Sequence, residues 1–272
     1  MTLAELQRSD PVHAANWTHS EQQLVFSEVL GLSLTEQILA AESPLPDDKI
    51  EQVIHIARRS ITGEPLAYIL GVCYFDGLKI LIDSAVLVPR PDTETLVEVA
   101  SALISDHRIH SVHDLCTGSG AVALAIKARH PHCTVTASDL SEHAVRCAAD
   151  NASALLLDVE CRQTDLFEGL SEFQLITANP PYIAWDDPEV DPDVVAHEPA
   201  MALFAEHDGL SLIQRILSEA LNHLCENGVL CLEHGHRQAH DVRKLAMSMG
   251  WKSVQTHQDL AGRDRVTRMQ KP

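Results

Sequence analysis

The spacing of hydrophobic and polar positions divides the chain into three regions. Across residues 1–70 apolar side chains recur at helical spacing, as in EQQLVFSEVLGLSLTEQILAAE, and no strand-like alternation is present. Residues 71–92 include YFDGLKILID, where Asp76 and Gly77 separate two β-rich flanks in the manner of a hairpin. The pattern predicts a small all-α domain at 1–70, a β-hairpin connector at 71–92 and a third domain at 93–272.

From residue 111 onward, predicted strands alternate with predicted helices. The strands are expected at SVHDLC, CTVTASD, VECRQTD, FQLITAN, VLCLEHG, SVQTHQ and DRVTRMQ. Alternation of this kind indicates an α/β fold with right-handed crossovers and a doubly wound, mostly parallel sheet. Because no helical pattern separates the last two strands, we expect that pair to be antiparallel.

Turn residues predict three further boundaries. In VLVPRPDTETLVEVA we expect a short strand that stops at two prolines. Asp92 or Thr93 would then cap the following helix. Asn227 and Gly228 are expected to end the apolar helical stripe of LSLIQRILSEALNHL.

A glycine-rich loop follows the first strand of the alternating region. In DLCTGSG, Gly118 and Gly120 permit a tight turn and close backbone approach to a ligand. Asp139 ends the next strand, about 20 positions later, where a carboxylate meets ribose hydroxyls in this fold class. Ala123 stands where a dinucleotide loop would have its third glycine. The frame D-x-x-x-G-x-G is more similar to S-adenosylmethionine loops, although an ordinary turn is the alternative.

The stretch ITANPPYIAW ends the fourth strand of this region. Proline fixes its own φ, lacks an N–H and keeps the preceding residue extended, so Asn179 and Pro180 form a rigid set of acceptors. Because ligands of such sheets bind at the carboxyl ends of the strands, this turn and the glycine loop should share one crevice. Asn179 Oδ1 and the Pro180 carbonyl can hold the two hydrogens of a planar NH₂ group, on which Tyr182 can stack. Methyl transfer to such a nitrogen depends on alignment; a simple Pro-Pro turn is the alternative.

Composition restricts the partners more than the fold. The net charge of −19 disfavours nucleic acid and suits a small cationic ligand or a basic protein. The seven cysteines are odd in number and lack C-x-x-C spacing, which indicates free thiols in a reducing compartment. The start, MTLAELQRSDPVH, does not resemble a secretory signal, and no apolar run approaches the roughly 18 residues of a membrane span. We expect a cytoplasmic protein that binds no membrane.

Sixteen histidines raise the question of a metal site. His107, His110 and His113 are spaced by three, and His234 and His236 are close together. Neither group has a cysteine at ligand spacing, and a zinc site needs a defined set of three or four ligands. We therefore expect no metal.

NPPY resembles the motif shared by adenine-N6 methyltransferases and protein N5-glutamine methyltransferases. Over most of its length the chain is similar to the HemK/PrmC family, the N5-glutamine methyltransferases of peptide chain release factors. The similarity is carried by GEPLAYILG (63–71), LVPRPDTE (87–94), DLCTGSGAVALAI (114–126), TDLF (164–167), NPPYI (179–183), HEPAMAL (197–203), LCLEHG (230–235) and DLAGRDRV (259–266).

The resemblance implies a class I S-adenosylmethionine-dependent methyltransferase domain and a helical N-terminal domain that helps to hold the release factor. The target would be the glutamine of the release factor's Gly-Gly-Gln loop. Position by position, the implied cofactor-binding residues are Cys116, Thr117, Gly118, Ser119, Gly120, Asp139, Asp165, Leu166 and Asn179. The implied substrate-binding residues are Asn179, Pro180, Pro181 and Tyr182, and the catalytic residues among them are Asn179, Pro180 and Tyr182.

Two positions depart from the family pattern. Many relatives have glycine in place of Cys116 and an aromatic residue in place of Leu166. Cys116 is small enough to fit if its φ is negative, an angle that the sequence does not give. Leu166 can still pack apolar surface, although stacking on adenine would be lost. Three alternatives stay open: methylation of a glutamine on a large-subunit ribosomal protein, adenine-N6 methylation of nucleic acid, and cofactor binding without catalysis. VPRPDTE and DLAGRDRV favour the release-factor branch.

Overall fold

The computed structural model describes residues 1–272, which form two compact units. One unit comprises Met1–Val72 and Asp191–His197, and the other comprises Cys73–Val190 and Glu198–Pro272. The helices are α1 (Leu3–Gln7), α2 (Asp10–Ala14), α3 (His19–Leu30), α4 (Leu34–Leu39), α5 (Asp47–Ser60), α6 (Leu66–Leu70), α7 (Glu94–His107), α8 (Ala121–Arg129), α9 (Glu142–Ala154), α10 (Pro192–His197), α11 (Ala200–Leu203), α12 (Ser211–Glu219) and α13 (Ala239–Ser248). The strands are β1 (Val72–Phe75), β2 (Leu78–Leu81), β3 (Ser111–Leu115), β4 (Thr134–Asp139), β5 (Val159–Gln163), β6 (Phe173–Ala178), β7 (Ile183–Ala184), β8 (Phe204–Ala205), β9 (Leu224–Glu233), β10 (Lys252–Gln258) and β11 (Asp264–Gln270).

The first unit is all-α, as the sequence predicts. Helices α1, α3 and α4 each begin with a capping box, in which a Ser or Thr and a Glu three positions later exchange hydrogen bonds with the backbone. The apolar side of α5 contributes Val53, Ile56 and Ala57 to a core that also contains Leu6 and Phe26. Packing of this apolar side contributes more to the stability of α5 than the helix propensity of its residues does.

The second unit opens with a small hairpin of β1 and β2. Asp76 and Gly77, at its turn, have φ values of 50° and 76°. A two-residue turn with positive φ at both positions matches the right-handed twist of the strands. The side chain of Asp76 is also paired with Arg129 at the end of α8.

A seven-stranded sheet forms the centre of the second unit, with the order β5-β4-β3-β6-β9-β11-β10. The first five of these strands are parallel, and β11 and β10 each run antiparallel to their neighbour. The predicted doubly wound, mostly parallel sheet with an antiparallel end is therefore confirmed. Strand β3 lies between β4 and β6, so the chain order reverses there and the carboxyl ends of these three strands form a crevice.

Three local predictions were wrong. Residues 85–90 form no strand, because Pro89 and Pro91 remove ladder donors. Helix α12 is followed by a short 3-10 helix, Ala220–Asn222, and Asn227 and Gly228 lie within β9 instead of ending the helix. Thr93 stands at the N-cap of α7, but neither its side chain nor that of Asp92 caps the helix, because both make other contacts described below. None of the helices has the length and apolarity needed to cross a membrane.

Candidate active site

The glycine loop after β3 is fastened to the end of β4. The Gly118 N–H donates to Asp139 Oδ2 and the Ser141 N–H donates to Asp139 Oδ1, both at 2.9 Å. The Thr117 N–H donates to the Ser138 carbonyl at 3.0 Å. Burial raises the pKa of Asp139, although both backbone N–H groups favour its ionised form. The loop and the carboxylate thus form one preorganised unit.

Asp114 lies beneath this loop and fixes its start. Its Oδ2 accepts the Thr117 hydroxyl at 2.6 Å and its Oδ1 accepts the Thr177 hydroxyl at 2.7 Å. The side chain is buried, which raises its pKa to about 6. Strands β3 and β6 and the loop are therefore connected through one carboxyl group.

The φ of Cys116, which the sequence left open, is 55°, so the condition of a negative φ is not met. The chain must bend directly after β3 so that the next N–H reaches Ser138, and this bend requires the left-handed region. A residue with a Cβ adopts that region at a penalty of about 1–2 kcal/mol, so glycine would suit this position better than cysteine. The Cys116 side chain packs against the core, and burial raises the pKa of its thiol.

A single pocket at the carboxyl ends of the strands collects several of these segments. It is lined by residues of the 85–93 segment, the 116–119 loop, the 139–141 turn, the 179–181 turn and the 199–202 segment. The glycine loop and the NPPY turn therefore share one pocket. The lining includes Asp114, which is buried, and Asp139, which is half-buried, and these two acidic residues suit a cationic ligand.

The NPPY turn presents Asn179 and Pro181 to this pocket. Asn179 Nδ2 donates to Thr93 Oγ1 at 3.2 Å, and Asn179 Oδ1 has no partner within the protein. Pro180 is buried. Tyr182 does not line the pocket, because its ring packs against the core and its hydroxyl donates to Glu233 Oε1 at 3.2 Å.

The backbone of Tyr182 is held from two sides. Its carbonyl accepts a hydrogen bond from Gln238 Nε2 at 2.8 Å. Gly209 lies against the same carbonyl with a φ of 78°, and a Cβ built there would stand 1.9 Å from the Tyr182 oxygen. Only glycine fits this approach, and the turn depends on it.

We therefore expect Gly209→Ala to destabilise the protein by about 2 kcal/mol, by strain at positive φ plus overpacking. Gly262→Ala is the matched control, because its φ is 76° and no atom lies within 4 Å of the built Cβ. The control should lose only about 1 kcal/mol. Urea unfolding of both variants checks this, and equal losses would show that the contact with Tyr182 is unimportant.

Not all of the site residues that the family resemblance implies line the pocket. Cys116, Thr117, Gly118, Ser119, Asp139, Asn179 and Pro181 line the pocket, whereas Gly120, Asp165, Leu166, Pro180 and Tyr182 do not. Asp165 is half-exposed and pairs with Arg215 at 3.1 Å. Leu166 is buried in the core with a φ of 49°. Their roles toward a cofactor or substrate stay predictions.

Several pocket residues were missed by sequence reasoning. Leu140, which is exposed, follows Asp139 directly and could have been found from that position. Arg90 was not missed entirely, because the sequence left open whether it orders the connection between domains or approaches the site; it lines the pocket and pairs with the buried carboxyl group of Glu198. Thr93 also lines the pocket, whereas the sequence marked it only as a candidate helix cap.

Comparison with known proteins gives a consistent result. The family model of the Methyltransferase small domain matches residues 92–197, and that of the PrmC N-terminal domain matches residues 13–71. The release factor glutamine methyltransferase of Lactococcus lactis subsp. lactis (strain IL1403) is 35% identical over 249 residues, covering 90% of this chain and 92% of the relative. The protein of the same name from Salmonella typhimurium (strain LT2) is 37% identical over 250 residues, covering 91% and 90%. Among solved structures, a methyltransferase from Pyrococcus furiosus has a TM-score of 0.54 at 19% identity, covering 72% of this chain and 89% of that one.

Proposed function

Because the chain belongs to the release factor glutamine methyltransferase family, we propose that it methylates the side-chain amide nitrogen of the glutamine in the Gly-Gly-Gln loop of peptide chain release factors. The observation that carries this proposal is the shared pocket, in which Asn179 stands beside the glycine loop and Asp139. The methyl donor is S-adenosyl-L-methionine, the cofactor of this class of methyltransferase.

The residues of the pocket fit that cofactor. Gly118 has a φ of 56° and no atom within 4 Å of a built Cβ, which leaves open space above the loop. Asp139 keeps free lone pairs beyond its two backbone hydrogen bonds, and these can accept ribose hydroxyls. The carboxyl groups of Asp114 and Asp139 suit a cation. When bound, the cofactor supplies an electrophilic methyl group.

The protein's contribution to the reaction is orientation. The lone pair of an amide nitrogen is conjugated and is a poor nucleophile, so alignment with the methyl group decides the rate. Asn179 Oδ1 and the Pro180 carbonyl accept the two hydrogens of the glutamine amide and hold its plane. The nitrogen releases its proton to solvent once the new bond has formed.

The helical unit and the net charge suit a protein partner. We assign residues 1–70 to recognition of the release factor, residues 71–92 to the connector and residues 93–272 to methyl transfer. The net charge of −19 favours basic surfaces on the partner over nucleic acid. Translation factors work in the cytoplasm, and we place the enzyme there.

The test is to offer radiolabelled S-adenosyl-L-methionine to purified release factor, large-subunit ribosomal protein and DNA separately. Label should enter the release factor and not a control whose Gly-Gly-Gln glutamine is replaced by alanine. Label on the ribosomal protein or DNA alone would contradict the proposal. Labelling of none of the acceptors, with cofactor binding intact, would favour a binding protein without catalysis.

A further inference from the structure

Three hydrogen-bonded polar side chains, two of them buried, connect the NPPY turn to the interior. Asn179 Nδ2 donates to Thr93 Oγ1 at 3.2 Å, and the Thr93 hydroxyl donates to Glu233 Oε1 at 3.3 Å. Thr93 is 4% exposed and Glu233 is 1% exposed. The three residues come from the turn before α7, the end of β6 and the end of β9. Only the fold brings them together.

The direction of these hydrogen bonds determines which side-chain atom of Asn179 faces the pocket. A hydroxyl has one hydrogen, and an ionised carboxyl group can only accept. When Thr93 gives its hydrogen to Glu233, its oxygen can only accept from Asn179. The amide must then turn Nδ2 toward Thr93, which leaves Oδ1 for the pocket.

Protonation of Glu233 permits the opposite direction. A neutral carboxyl group can donate to Thr93, and the Thr93 hydrogen then points to Asn179. The amide satisfies that donor by turning Oδ1 inward and Nδ2 outward. Two NH₂ groups, those of Asn179 and the substrate, would then face each other without an acceptor.

We propose that Glu233 is a positioning residue which, in its ionised form, directs the Thr93 hydroxyl so that Asn179 presents Oδ1 to the substrate amide, a role that rests on the proposed function. The second carboxylate oxygen supports it. Glu233 Oε2 is buried and has no hydrogen-bond partner, so the carboxyl group is not satisfied by the fold alone. A group in that state responds readily to protonation.

Burial, more than the surrounding charges, places this protonation near neutrality. Burial raises the pKa of Glu233 to about 7, and the charge of Asp92 adds to that rise, whereas Arg265 and the Thr93 and Tyr182 hydroxyls oppose it. Arg265, on β11, divides its guanidinium between Asp92 at 2.9 Å and Asp259 at 3.2 Å. Above the pKa of Glu233 the hydrogen bonds run from Asn179 to Thr93 to Glu233, which leaves Asn179 Oδ1 for the substrate. Below that pKa this direction is lost.

The direct test needs no substrate. The side-chain amide resonances of Asn179 can be assigned by their loss in Asn179→Ala and followed by NMR in ¹⁵N-labelled full-length protein from about pH 5.5 to about 8.5. In the wild type these resonances should shift with pH, and the midpoint of the shift should lie near the pKa of Glu233. The resonances should stay constant in Glu233→Gln, because glutamine cannot titrate. They should also stay constant in Thr93→Val, because valine removes the hydrogen bonds between Asn179 and Glu233. A wild-type resonance that does not move, or one that moves equally in Glu233→Gln, would overturn the proposal.

Turnover provides the second readout. With one required ionisation near neutrality, wild-type kcat should be about ten-fold lower at about pH 6 than at about pH 8. The ratio should fall close to one in Glu233→Gln, and Thr93→Ser should recover turnover that Thr93→Val loses. A steep acid limb retained by Glu233→Gln would contradict the proposal. Titration of Asn179 without any methylation of release factor would instead refute the proposed function while supporting the role of Glu233.

Discussion

Replacing Asn179 with alanine should lower turnover on release factor about 100-fold, because one preorganised acceptor at the transition state is worth about 3 kcal/mol. The loss should appear in kcat, because the amide is gripped most strongly when it is aligned for attack. Affinity for S-adenosyl-L-methionine should change by less than about three-fold, since Asn179 Oδ1 is assigned to the substrate.

The matched control for this variant is Asn222→Ala, at an exposed position outside the pocket. Single-turnover kinetics and calorimetric titration with the cofactor should be run on both variants. Turnover of Asn179→Ala within a few-fold of the control would show that the amide is held by other groups. An equal loss of cofactor affinity and turnover would instead place Asn179 in the cofactor site.

The second large effect is expected from Asp139→Asn, which should weaken cofactor binding about 50-fold. The carboxylate oxygens accept N–H groups from Gly118 and Ser141, and an amide can accept only one of them. The other N–H would face the Asn NH₂ group, and the ribose hydroxyls would lose a charged acceptor. Together these losses amount to about 2–3 kcal/mol.

Asp165→Asn is the comparison, because the family resemblance assigns Asp165 to the cofactor whereas its side chain is paired with Arg215 outside the pocket lining. Calorimetry should show a change below about three-fold for this variant. A large loss for Asp165→Asn would support a direct role in holding adenine. A small loss for Asp139→Asn would show that the loop does not depend on its carboxylate.

Local patterns were sufficient to predict the elements that form the site. The glycine loop and the NPPY turn each follow a strand whose apolar run is plain in the sequence, and alternation of strands with helices places both at one edge of the sheet. The antiparallel end of the sheet also followed from the missing helix between β10 and β11. These features depend on short stretches of chain and on general rules of connection.

Features that depend on distant residues were not predictable in the same way. Thr93 has the side chain and the position typical of a helix cap, yet its hydroxyl donates a hydrogen bond to Glu233, 140 residues away. Residues 85–88 have the apolar character of a strand, but they form none, and Ala85, Val86 and Leu87 line the pocket instead. The positive φ of Cys116 arises because the loop must reach β4, which the loop sequence alone does not reveal.

The most direct test of the central claim is a crystal structure of the protein with S-adenosyl-L-homocysteine and a Gly-Gly-Gln peptide. The glutamine amide nitrogen should lie about 2.9 Å from both Asn179 Oδ1 and the Pro180 carbonyl oxygen, with its face toward the cofactor sulfur. A glutamine side chain bound elsewhere, or one whose nitrogen points away from both oxygens, would contradict the account.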